Sequence, residues 1–167
     1  DSGHGFIGRN SGANSNTAVV TGPGSSWLLN SNLYVGSNGA FSLLGISNAA
    51  RVVNSNAFLG FNVSSSNNAA TISGVGSVWS NRQQIVVGQS GSGNRVVISN
   101  GARLDNRFCT LGANASASNN VLVVTGPGSF WGIEQSFTLG NFGGGNLLVI
   151  TNGGRVYGSG TIGGFSA

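Results

Sequence analysis

Charge is what this sequence has least of. Only 6% of its 167 residues are charged, against about 25% in ordinary globular chains. It has no lysine and no methionine; its seven arginines are spread along the chain, and Asp1, Asp105 and Glu134 are its only acids. The pI of about 10.7 therefore reflects missing acids rather than a basic cluster. Without a run of cations to follow a phosphate backbone, a nucleic-acid partner is not expected. The single cysteine, Cys109, excludes an internal disulfide. No stretch of about 18 apolar residues is present, so no helix is expected to insert directly into a membrane. One histidine, His4, one cysteine and three acids are too few and too scattered for a metal centre, and no metal or other cofactor is expected. Gly143-Gly-Gly-Asn146 superficially resembles a calcium-binding turn but lacks the aspartate that turn requires. The glycine-rich turns also lack the Gly-Lys-Ser/Thr of a phosphate loop.

What is abundant is glycine, 30 residues of it, together with Asn and Ser. These residues recur on a fixed period. Trp27, Trp79 and Trp131 are 52 residues apart, as are Arg51, Arg103 and Arg155. Such spacing indicates stacked structural units. Each 52-residue copy is itself a pair, because Val20, Ile46, Ile72, Ile98, Val124 and Ile150 recur every 26 residues. A hydroxyl residue follows each of these. The next position alternates between glycine and asparagine: Gly22, Asn48, Gly74, Asn100, Gly126, Asn152. Gly and Asn best tolerate positive φ, so the chain is predicted to turn at one point in every unit. Two positions before the β-branched column lies a second apolar column, Ala18, Leu44, Ala70, Val96, Leu122 and Leu148. The intervening positions are mixed, which is the period-two signature of a strand with one buried face. A further strand is predicted around Phe6-Ile-Gly8, Tyr34-Val-Gly36, Phe58-Leu-Gly60 and their later equivalents.

Units of about 26 residues, with short strands and Gly/Asn corners, predict an all-β fold. We expect a right-handed parallel β-helix, or β-solenoid, of six or more coils. No window shows helical periodicity, and three 52-residue units are too few for propeller blades. One solenoid segment is expected over 1–167, with repeats at approximately 5–56, 57–108 and 109–160 and the start of a fourth at 161–167. The chain opens at Asp1 in mid-repeat and has no polar cap, so it reads as part of a longer protein or as a piece that stacks on copies of itself. The expected core column is Val20, Ile46, Ile72, Ile98, Val124 and Ile150. Trp27, Trp79 and Trp131 are expected to bury as an aromatic file or to cover a corner.

The motif Val123-Val-Thr-Gly-Pro-Gly-Ser-Phe-Trp131, then Leu139-Gly140, then Leu148-Val-Ile-Thr-Asn-Gly-Gly-Arg-Val156 resembles the repeat of type V secretion (autotransporter) passengers and PEP-CTERM-associated exported proteins. The resemblance runs through nearly the whole chain. The first copy departs from it, with Ala49-Ala50 where the second has Gly101-Ala102. The resemblance implies a bacterial, Gram-negative, secreted or cell-surface stalk, and it implies no catalytic residue.

Candidate chemistry is sparse. Asp105 and Glu134 lie about one coil apart and could approach as a glycosidase pair, but neither has an acid at the equivalent position of another repeat. His4 would have to serve any Ser/His/Asp triad, and it sits near a terminus. Cys109 aligns with Ala57 of the preceding copy and reads as a small core residue. Arg51, Arg103 and Arg155 form a possible surface ladder, about 10 Å between members, that could meet an acidic glycan or a neighbouring molecule. The plainer reading is a solubilising corner bonded to backbone carbonyls. The expected function is therefore a structural extracellular β-solenoid: a stalk, surface-layer component or filament subunit, partnered by itself or by further repeats, and not an enzyme. An adhesin or glycan-binding module is the alternative, and a polysaccharide-degrading enzyme a third.

Overall fold

The fold comes from a computed structural model that describes residues 3–163. The outermost part of the fourth repeat, 164–167, lies outside the described residues. Every regular element is a strand: β1 (Gly5–Ile7), β2 (Thr17–Thr21), β3 (Ser26–Leu28), β4 (Leu33–Val35), β5 (Leu43–Ser47), β6 (Arg51–Asn54), β7 (Ala57–Leu59), β8 (Ala69–Ser73), β9 (Val78–Asn81), β10 (Gln84–Val87), β11 (Arg95–Ser99), β12 (Arg103–Leu111), β13 (Val121–Thr125), β14 (Phe130–Leu139), β15 (Leu147–Thr151) and β16 (Arg155–Ile162). All their pairings are parallel. The chain is a parallel β-solenoid of about six coils, 26 residues to the coil.

Three ladders make its faces. The first is a six-stranded sheet in the order β2, β5, β8, β11, β13, β15. The second runs β3, β6, β9 and then the first halves of β12, β14 and β16. The third runs β1, β4, β7, β10 and then the second halves of those same strands. The long strands β12, β14 and β16 turn the corner between the last two faces without a break, which joins them into one ten-stranded sheet.

The 26-residue period becomes register. In the six-stranded sheet, each pair of neighbours matches residue for residue over all five positions. Val20, Ile46, Ile72, Ile98, Val124 and Ile150 therefore form one column. Its middle members are fully enclosed, whereas Ile150 is 49% exposed. The 18-to-148 column points inward beside it, and Val19 and Arg95 point out. Cys109 is buried between Ile85 and Phe137, the small core slot expected of it. At the corner after this sheet, all six alternating positions from Gly22 to Asn152 have positive φ, between 50° and 95°.

A second column runs through the opposite corner. Asn68, Asn94, Asn120 and Asn146 lie 26 residues apart, and the first three are fully buried. The Oδ1 atoms of Asn94, Asn120 and Asn146 each accept two bonds from the asparagine one coil earlier, from its backbone N–H at 2.9 Å and its Nδ2 at 3.0 Å. The ladder needs room that only glycine leaves: a Cβ on Gly88, itself at φ +77°, would sit 2.2 Å from Asn120 Nδ2. Ser42 takes the next place along the column. Its N–H still bonds Asn68 Oδ1, but its buried Oγ has no partner among the described residues.

Candidate functional site

In a solenoid built of like upon like, a site must come from positions where the repeat is broken. The second ladder has one such place. Its outward column reads Leu28, Val53, Ser80, Asp105, Gly132, Tyr157. Small residues on either side of Asp105 leave a hollow there. A Cβ on Gly132 would lie 2.8 Å from Asp105 Oδ1, so the carboxylate fills the space a side chain would take. Beside the hollow, β14 carries a bulge: Glu134 and Gln135 together oppose Arg107 of β12. A bulge re-aims the side chains around it, and here it brings Glu134 Oε2 to 3.4 Å from Arg107 Nε. The result is an open groove of about 530 Å³, within the ~300–1,000 Å³ usual for small-ligand sites.

Five of the ten charged residues line it: Arg82, Arg103, Arg107, Asp105 and Glu134. Arg103 donates from Nε to Asp105 Oδ2 at 2.6 Å, and its guanidinium lies 5.1 Å from the centre of the Phe130 ring. That hydrogen bond and the neighbouring charge hold the Arg103 guanidinium above its ordinary pKa, against a smaller opposing effect of burial. Tyr157 closes one end of the groove and is 75% exposed.

Arg51, Arg103 and Arg155 do share one outward column, but Val78 and Phe130 separate them. Arg103 spends its Nε on a carboxylate rather than on a backbone carbonyl. Only Arg103 of the three lines the groove. The tryptophans also share a column, but an alternating one: Trp27, Val52, Trp79, Leu104, Trp131, Val156. The expected aromatic file thus carries a tryptophan at every second coil, with Trp79 and Trp131 fully buried against aliphatic neighbours. Their polar edges are also met. Trp79 Nε1 donates to Asn54 Oδ1 at 2.8 Å and Trp131 Nε1 to Asn106 Oδ1 at 2.7 Å, each from the coil before. A buried indole N–H needs such a partner, and Asn54 and Asn106, 52 residues apart, were the sequence signal for it.

The two acids weighed as a glycosidase pair line the same groove, each tied to an arginine. His4 lies elsewhere, its Nδ1 within 3.1 Å of Ser31 Oγ and 3.2 Å of Asn32 N. Burial pushes the Cys109 thiol well up, which removes its nucleophilic form at neutral pH. Among the described residues no three His, Cys, Asp or Glu side chains gather as metal ligands. No helix of the described residues is long and apolar enough to cross a membrane. On the third face Phe6, Tyr34 and Phe58 stack at ring separations of 4.9 and 5.2 Å, with Phe61 edge-on to the last two. These rings are spent largely on one another, so they offer less open aromatic surface than Tyr157.

Fold and register thus define the class, a parallel β-solenoid with a groove where its repeat is interrupted. Comparisons with protein-family models, with curated proteins and with solved structures find no match to this chain.

Proposed function

We propose that this chain is a structural β-solenoid of an exported bacterial protein, a cell-surface stalk, surface-layer or filament-forming segment, and not an enzyme. One observation carries the reading: six strands stack in unbroken one-to-one register, so each coil rests on the next through the same side chains. Six coils at about 4.8 Å each make a rod of roughly 30 Å. Load along its axis falls on several parallel ladders at once. The export address is supported by the motif's resemblance to autotransporter passengers and PEP-CTERM-associated proteins. The non-enzymatic reading is supported by the ion pairs of Asp105 and Glu134, which a general acid or base would have to break.

The experiment has two arms. Electron microscopy of the purified chain asks whether it associates into filaments or lattices. Protease treatment of intact source cells asks whether the parent protein is reached from outside. Self-association or surface exposure supports the proposal; a strictly monomeric chain from a protein shielded inside the cell refutes it. A second reading, a glycan-binding module, is favoured by the groove around Asp105.

A further inference from the structure

The groove's hydrogen-bonding account is lopsided. Four buried side-chain polar atoms lack a partner among the described residues: Ser42 Oγ, Asn81 Nδ2, Asn106 Nδ2 and Arg107 Nε. The last three belong to residues that line this groove, but these atoms are themselves closed to solvent, and Arg107 Nε lies 3.4 Å from Glu134 Oε2. Asn81 and Asn106 are only 2% and 4% exposed and bond inward, to Asn54 and to Trp131, so the donors open to a ligand are those of the arginines. The groove's carboxylates are already committed, Asp105 to Arg103 and Glu134 to Arg107. Arg82 has no ion pair among the described residues and stands exposed at the groove. Its arginines exceed its acids by one, three against two. Such a site suits a ligand that carries negative charge.

The rest of the lining narrows the ligand class. Tyr157 presents an open aromatic face beside the charges. An aromatic ring with a polar tip suits a ligand that is apolar on one face and hydroxylated at its edge, as a pyranose ring is. A single free arginine does not match a nucleic-acid strand, which asks for a succession of cations along its phosphates. The volume suits one or two sugar units rather than a protein segment.

We propose that this groove binds an acidic saccharide, with its carboxylate or sulfate on Arg82 and a sugar ring against Tyr157. The site is independent of the rod reading: the solenoid stays a rod whether or not the groove is filled, and failure of one leaves the other standing.

Calorimetric titration of the chain tests it with trigalacturonate, 3′-sialyllactose and a sulfated chondroitin disaccharide. Maltotriose and lactose serve as neutral controls, and a ten-nucleotide single-stranded DNA as the nucleic-acid control. At least one acidic saccharide should bind tenfold or more tighter than its neutral counterpart, and more weakly as salt is raised. Arg82→Gln and Tyr157→Ala should each lower that affinity about tenfold. Both side chains are exposed, so the variants should unfold at the wild-type midpoint. Arg51→Gln, on the same outer face but not lining the groove, should change nothing. The proposal falls if none of the three acidic saccharides binds, if neutral sugars bind equally well, or if Arg51→Gln weakens binding as much as Arg82→Gln. It also falls if the oligonucleotide binds more tightly than every saccharide.

Discussion

At the scale of single residues, the asparagine ladder shows how little freedom a repeated position has. Asn94→Ala removes the acceptor for two donors of Asn68, its N–H and its Nδ2. A buried donor left unpaired costs ~1–3 kcal/mol, so the variant should lose roughly 2 kcal/mol or more in urea denaturation. The reverse change is available at Ser42, where the column lapses. Ser42→Asn should place an amide against Asn68 Oδ1, and Gly8 leaves it the same kind of space that Gly60 leaves Asn94. We expect it to raise the unfolding midpoint by the equivalent of about 1 kcal/mol; a lower midpoint would show that the serine is there for fit. Cys109 gives a prediction in pH. Its thiol is raised by burial, so above the ordinary thiol value near 8.5 the unfolded chain gives up a proton that the folded chain keeps. Stability is therefore intact below that value and falls as pH rises through it, by about 1.4 kcal/mol per unit. Cys109→Ala, which adopts the residue of the preceding copy, should flatten the alkaline limb relative to wild type in denaturation followed from pH 8 to 10.5.

At the scale of the coil, most of the fold could be read from the sequence, because each column is written out six times. The corner residues from Gly22 to Asn152 are an example: alternation of Gly with Asn at one position has no explanation but positive φ, and all six adopt it. The odd residue at these corners is Ala49, held at φ 63° where the next two copies have Gly101 and Gly153. A left-handed non-glycine residue costs about 1–2 kcal/mol. Ala49→Gly should therefore stabilise the chain by about 0.5–1 kcal/mol, after allowing for the greater freedom of glycine in the unfolded state; thermal denaturation measures it. The groove was not legible in the same way. Its parts, Ser80, Asp105, Gly132 and Tyr157, share a column only once register is known, and they differ from one another rather than repeat. The bulge at Glu134 and Gln135 shifts that register by a residue, which spacing alone does not reveal. Sequence reasoning found the arginine ladder because it repeats, and missed Arg82 and Arg107 because they do not.

At the scale of the whole molecule, the core is a line rather than a centre. Each coil contacts the coil on either side, so stability should add from neighbour to neighbour, and interior coils, held on both faces, should be the hardest to open. The β-branched column makes this measurable, because Ile72 is fully buried and Ile150 is 49% exposed at the same repeat position. Ile72→Ala leaves a cavity bounded by Ile46 and Ile98 and should cost ~2–5 kcal/mol. Ile150→Ala removes a half-wetted side chain and should cost less than half as much. Hydrogen exchange should follow the same gradient, slowest in β8 and β11 and faster in β2 and β15. A globular domain would instead open as one unit and protect all four strands alike. If the two alanine variants cost the same, or if the four strands exchange together, the coils are coupled into a single cooperative body and nearest-neighbour stacking is not what holds this solenoid together.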